Sequence, residues 1–194
     1  MKIQTERLTI VPLTQEHLDT ACLYMLNPEN AQMMVYLPAE NREEVRKLIE
    51  KAVLERQKSE PEYLEYAVLL GGEHIGGLTM YFEGHPERGE LGWIIRLDCQ
   101  GMGYAAEAAQ GLMDYFRENY GVQRFIAHCD SENAASRRVM EKLGMTLKEI
   151  HGGRLNRSST EERQECLYEI QYEPNPKPTN KKSSPKIELD EKIL

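Results

Sequence analysis

The chain has 194 residues, 40% hydrophobic and 29% charged, with a net charge of −8. Residues 174–194 carry five lysines against three acidic residues, which leaves −10 on residues 1–173. This length supports a buried core, the acidic body argues against DNA or RNA as the main partner and suits a cationic amine, and no stretch approaches the roughly 18 apolar residues of a membrane span.

Residues 7–12 (RLTIVP) alternate as a strand does, and Thr14-Gln15 open a helical segment with Leu18, Ala21, Cys22 and Met25 at helix spacing. The spacing predicts an amphipathic helix over 42–58, with Val45, Leu48, Ile49, Ala52 and Val53 as one stripe and Glu43, Lys47 and Lys51 opposite. Residues 63–70 and 74–82 read as strands of a hairpin around Gly71-Gly72. After the polar loop 83–89 comes a strand over 90–97, with Glu90, Gly92, Ile94 and Arg96 on one side and Leu91, Trp93, Ile95 and Leu97 on the core side.

Next stands CQGMGYAAEAA (residues 99–109), two glycines against a run of alanines. Ala105, Ala109, Leu112 and Phe116 continue as a helix that Gly121 can end in the left-handed conformation. A strand over 122–129 follows, parallel to 90–97 because a helix connects them. Asp130 or Ser131 can cap the next helix, which places Ala135, Val139, Met140 and Leu143 on one side and stops at Gly144. Strands over 145–150 and 165–172 complete an α/β domain over residues 1–173, with a mixed, mostly antiparallel sheet of about seven strands. Residues 174–194 hold four of the nine prolines and read as a disordered tail. Cys22, Cys99, Cys129 and Cys166 include no C-x-x-C pair, and the N-terminus lacks a secretory pattern, so reduced thiols in a cytoplasmic protein are expected.

The glycine loop follows a strand and opens a helix, which is where unpaired N–H groups and a positive dipole end hold an anion. Gly101 and Gly103 let a diphosphate approach the backbone. No Gly-Lys-Ser/Thr follows for a P-loop, and the mid-chain position does not suit a dinucleotide fold.

Gln100-Gly101-Met102-Gly103-Tyr104-Ala105 resembles the Q/R-x-x-G-x-G/A motif of the GNAT acyl-CoA N-acyltransferases. G-x-G-Y-A-x-E-A at 101–108, TERL at 5–8 and N-x-x-S-x-R-V-x-E-K-L-G at 133–144 resemble the RimJ/RimL-type branch, the ribosomal-protein alanine acetyltransferases and their relatives. The resemblance spans residues 5–172 and implies a GNAT-like fold with a splayed parallel strand pair. It also implies acetyl-CoA as co-substrate, no metal, and an amine acceptor, either a small molecule or a peptide N-terminus. No nucleic-acid or membrane partner is implied, and the assembly is a monomer or homodimer.

By that resemblance, backbone N–H groups of Gly101, Met102, Gly103, Tyr104 and Ala105, after Gln100, hold the diphosphate. Backbone near Ile94, Ile95 and Arg96 pairs with the pantetheine, and Asn133 and Ser136 reach its arm or sulfur. Attack of a neutral amine on the thioester needs a base, for which Glu90 and then His128 are the candidates. Ser136 is the candidate acid, because Met140 stands where many GNAT members have a tyrosine. Arg96, Arg137, Arg138 and Lys142 are candidates for the 3′-phosphate. A non-catalytic acyl-CoA-binding sensor or interaction module is the alternative reading.

Overall fold

The computed structural model describes residues 1–82 and 87–173. The expected tail, 174–194, and residues 83–86 of the loop 83–89 lie outside the described residues. The strands are β1 (Ile3–Gln4), β2 (Leu8–Pro12), β3 (Tyr63–Leu70), β4 (Glu73–Tyr81), β5 (Arg88–Ile95), β6 (Arg124–Asp130), β7 (Thr146–Leu155) and β8 (Glu162–Gln171). They form one eight-stranded sheet in the order β1-β2-β3-β4-β5-β6-β8-β7. Every neighbouring pair is antiparallel except β5–β6, where the crossover through a helix forces the parallel sense. The strand missing from the sequence reading is β1, whose two residues pair with Ile10 and Thr9. Two residues are too short to show alternation.

The helices are α1 (Leu18–Met25), α2 (Pro28–Ala31), α3 (Arg42–Arg56), α4 (Tyr104–Tyr120) and α5 (Ala134–Lys142). They cover both faces of the sheet. α4 buries Ala108, Ala109, Leu112, Met113 and Phe116 against Leu64, Tyr66, Val68, Leu91, Phe125 and Ala127, and Met140 and Leu143 join from the α5 side. Each large side chain in that cluster contributes about 1.5–3 kcal/mol. On the opposite face Tyr24, Val45, Ile49 and Ala67 form a second cluster, with Ile94 packed against it. The side of β5 that carries Ile94 is therefore covered rather than solvent-facing. Gly121 ends α4 at φ 71°, as expected.

Two local expectations are corrected. The residue that caps α5 is Asn133, whose Oδ1 accepts from Ser136 N at 3.0 Å. Asp130 lies fully buried and instead accepts from Arg163 Nε (2.6 Å), Asn156 Nδ2 (2.6 Å) and Glu132 N (2.9 Å). A carboxylate with three partners, two of them from β8 and the chain before it, is held in place by contacts that no local pattern records. β7 and β8 are also longer than expected, because their polar residues alternate on an exposed edge hairpin where no apolar period is required. Little loop remains between them, and Ala135 is exposed.

Candidate active site

β5 and β6 pair only at Arg88↔Arg124, Gly89↔Phe125 and Glu90↔Ile126. Beyond Glu90 each strand follows its outer neighbour. Ile94 and Ile95 remain in register with Gly77 and Gly76 of β4, and β6 stays paired with β8 to Asp130↔Glu165. The result is a V that opens between two well-anchored strands. Arg96 N donates to Ile75 O at 2.8 Å, so alternation turns the backbone groups of Ile95 and Trp93 toward the V. The Ile95 carbonyl already accepts from Gln100 Nε2 (2.9 Å) and Asn30 Nδ2 (3.1 Å). Of the stretch Ile94, Ile95 and Arg96, the middle residue faces the V, and Trp93 joins it.

Gln100 thus ties the start of the glycine loop to the end of β5. Gly101 and Gly103 have φ of 78° and 84°, the left-handed region that L side chains rarely adopt. A Cβ at Gly101 would meet nothing within 4 Å, and one at Gly103 only Arg7 Nη2 at 3.6 Å. Glycine is therefore required by conformation and not by crowding within the chain. Gly103 caps α4 without a side chain of its own, so the first-turn N–H groups after Met102, at Tyr104 and Ala105, have no intrahelical partner.

Arg7 and Glu107, a hundred residues apart, hold this loop. Arg7 Nη1 donates to Met102 O (3.1 Å), Nε donates to Glu107 Oε2 (2.6 Å), and the guanidinium lies 4.6 Å from the Tyr104 ring centroid. Glu107 Oε1 also accepts from Thr5 Oγ1 (2.6 Å) and Arg7 N (2.8 Å). Burial raises the Glu107 carboxyl pKa, but the hydrogen bonds from Thr5 and Arg7 outweigh it and hold the group below its ordinary value. One turn along α4, Gly111 lets the helix approach, since a Cβ there would stand 2.7 Å from Thr5 Cγ2. The TERL and GYAAE segments are thus one structural unit. Both were legible as strings, but a side-chain bridge between them leaves no mark in a single sequence.

At the apex of the V, His128 Nδ1 lies 2.9 Å from Glu90 Oε1, with side-chain exposures of 24% and 21%. Glu90 is level with Ile126, and His128 follows two residues on, so all three share one face. That face is opposite Phe125, Ala127 and Cys129, which pack on the α4 side. The glycine loop therefore belongs to one side of the sheet and the Glu90–His128 pair looks out on the other. The two base candidates are joined, not separate.

Ser136 sits partly buried in the first turn of α5, and Met140 is fully buried in the core. Arg96 is committed to Asp98 (2.7 Å) and Glu73 (2.7 Å), and Arg137 Nε donates to Tyr168 Oη (3.1 Å). Arg138 and Lys142 are exposed on α5. Cys129, next to His128, is buried, and burial pushes its thiol up to about 12. It is not a thiolate nucleophile at neutral pH.

The Acetyltransferase (GNAT) domain family matches residues 7–146. The uncharacterized N-acetyltransferase YnaD of Bacillus subtilis is 37% identical over 83 residues, 42% of this chain and 49% of that protein, so the match spans about half of YnaD. The FsC-acetyl coenzyme A-N(2)-transacetylase of Aspergillus fumigatus is 26% identical over 153 residues, covering 74% of this chain and 64% of that one. Among solved structures, a GNAT acetyltransferase from Bacillus anthracis superposes with TM-score 0.77 at 24% identity, covering 88% of this chain and 98% of that one. RimL, a ribosomal L7/L12 α-N-protein acetyltransferase in complex with coenzyme A, gives TM-score 0.80 at 20% identity over 89% of this chain and 98% of its own. The splayed strands, the glycine-capped helix and the matched span together place this chain in the Acetyltransferase (GNAT) domain family.

Proposed function

We propose that the V between β5 and β6 is where an amine acceptor meets acetyl-CoA, and that Glu90 and His128 act there as a dyad. The 2.9 Å hydrogen bond at the point of strand divergence carries this reading. When Nδ1–H donates to Glu90, Nε2 is the basic nitrogen of the neutral ring. The carboxylate fixes that tautomer and stabilises the imidazolium that forms when a proton is taken from the attacking amine. The amine nitrogen forms a bond to the thioester carbon, the carbon–sulfur bond breaks, and the thiolate leaves with the electron pair.

On the other face, the N–H groups of residues 101–105 and the Arg7 cation suit the diphosphate, and the β5 edge at Trp93 and Ile95 suits the pantetheine amides. A backbone N–H of that edge is the donor for the developing oxyanion, and Ser136, near the N-terminus of α5, is the donor to the leaving thiolate. The acceptor is a primary amine of a small molecule or a protein N-terminus. An acetyltransferase from Salmonella typhimurium, 19% identical, modifies the N-terminal serine of ribosomal protein L7/L12, which makes a peptide terminus one class to assay.

The test measures thiol release from acetyl-CoA over a panel of amines and peptides. We expect Glu90→Gln and His128→Ala each to lower kcat by about 10²-fold or more while acetyl-CoA affinity stays within about twofold. Acetyl-CoA binding by the wild-type chain with no turnover on any amine would instead support a binding module.

A further inference from the structure

The sheet face that carries Glu90 and His128 continues across β5 and β4 to β3. Register places Tyr81 beside Glu90 and Tyr63 beside Tyr81; one step along, Thr79 is beside Gly92 and Glu65 beside Thr79. These residues share parity, so their side chains stand on the same face. The path from the dyad to Glu65 crosses Gly92, where no side chain intervenes; a Cβ there would already touch Thr79 Cβ (3.5 Å) and Tyr81 Cε2 (3.7 Å).

Glu65 stands at the far end of this path. One carboxylate oxygen accepts from Thr79 Oγ1 at 3.0 Å. Among the described residues its carboxylate forms no salt bridge. Arg56, packed nearby, points its donors at backbone instead, at the carbonyls of Leu13 and of Glu65 itself. The Tyr63 and Tyr81 rings flank the position, with centroids 5.9 Å apart, and Lys51 Nζ already lies 5.8 Å from the Tyr63 ring centroid. Glu65 is a partly buried residue whose carboxylate is set among phenol rings. An anion with an aromatic surround and no cation hydrogen-bonded to its carboxylate matches an ammonium group, which gains from both.

We propose that Glu65, with Thr79, Tyr63 and Tyr81, is a cation subsite of the acceptor groove, and that the acceptor carries a second positively charged group remote from the nitrogen that is acetylated. This rests on acetyl transfer at the Glu90–His128 pair. Glu65 acts as a specificity residue and takes no part in the chemical step. Burial first pushes its carboxyl up to about 7, against Thr79 and Arg56, which lower it, and a bound ammonium would lower it further.

Steady-state kinetics with hexylamine and hexamethylenediamine test this on the wild-type chain and Glu65→Gln. Glutamine keeps the volume and still accepts from Thr79, and a thermal melt checks that the variant is folded. Wild type is expected to prefer the diamine by about tenfold or more in kcat/KM. Glu65→Gln is expected to lose that preference while its kcat/KM for hexylamine stays within about twofold. Equal use of the two amines by wild type, or an unchanged preference in the variant, overturns the subsite. If neither amine is acetylated, it is the transfer reading that has failed for these acceptors. The subsite is then read by calorimetry of the diamine against CoA-saturated protein. Binding that weakens about tenfold in Glu65→Gln supports it, and absent or equal binding overturns it.

Discussion

Glu65 is a carboxylate kept where it costs stability. With its pKa pushed up to about 7 from 4.5, mainly by burial, the folded chain holds the proton more tightly than the unfolded chain does. Its contribution to stability is therefore full below about pH 4.5 and is lost as pH rises through about 7. Glu65→Gln removes that titration. Urea unfolding is expected to show the variant about 3 kcal/mol more stable than wild type near pH 8, with the gap closing near pH 4. A gap that is the same at both pH values would show that the carboxyl is not perturbed. Glu90 and His128 were both readable as candidates from strand position, yet their direct hydrogen bond was not, because it depends on a three-pair parallel ladder that sets Glu90 level with Ile126, two residues before His128. Asp130 shows the opposite case. A polar residue before a helix reads as a cap, and here the guanidinium of Arg163 and the buried amide of Asn156 claim it first.

At the scale of elements, the unit that orders the glycine loop is the contact of β2's leading segment with α4. Arg7 closes it with a fork that spans Glu107 and the Met102 carbonyl. Arg7→Ala should weaken acetyl-CoA binding about tenfold, as read by calorimetry. It should cost only about 1 kcal/mol of stability, because the Arg7 side chain is 41% exposed. Arg7→Lys keeps the charge but loses the planar fork, so it should restore only part of the affinity. Unchanged affinity in both variants would separate the clamp from cofactor binding. Helix α4 itself was legible almost to the residue, since its apolar period is regular and both ends carry glycine in the left-handed region. The β7–β8 hairpin was legible only in part, because an exposed edge strand has no buried face to impose a pattern on its sequence.

Across the whole molecule, the proposed transfer puts donor and acceptor on opposite faces of one sheet, meeting through the gap between β5 and β6. Both can then be bound at once, and no side-chain nucleophile is needed between them. Initial-rate patterns are expected to be sequential, with intersecting rather than parallel double-reciprocal lines. Cys129→Ala should retain activity within about threefold, because a thiol raised to about 12 carries almost no thiolate at neutral pH. Parallel lines together with loss of activity in Cys129→Ala would reveal a covalent route instead.

The amino-acid sequence alone determined the order of the main elements, the parallel β5–β6 pair and the glycine-capped helix. Each of these follows from local periodicity, chain connectivity or the φ that only glycine adopts readily. It also marked Glu90, His128, Gly101 and Gly103 as positions of interest. Only the tertiary structure decided that Glu90 and His128 touch, that Arg7 and Glu107 clamp the loop, that Asn133 rather than Asp130 caps α5, and that Glu65 shares a face with the dyad. These are relations between residues distant along the chain. They are set by strand register and by competition among hydrogen-bond partners, and neither is written in any local stretch of sequence.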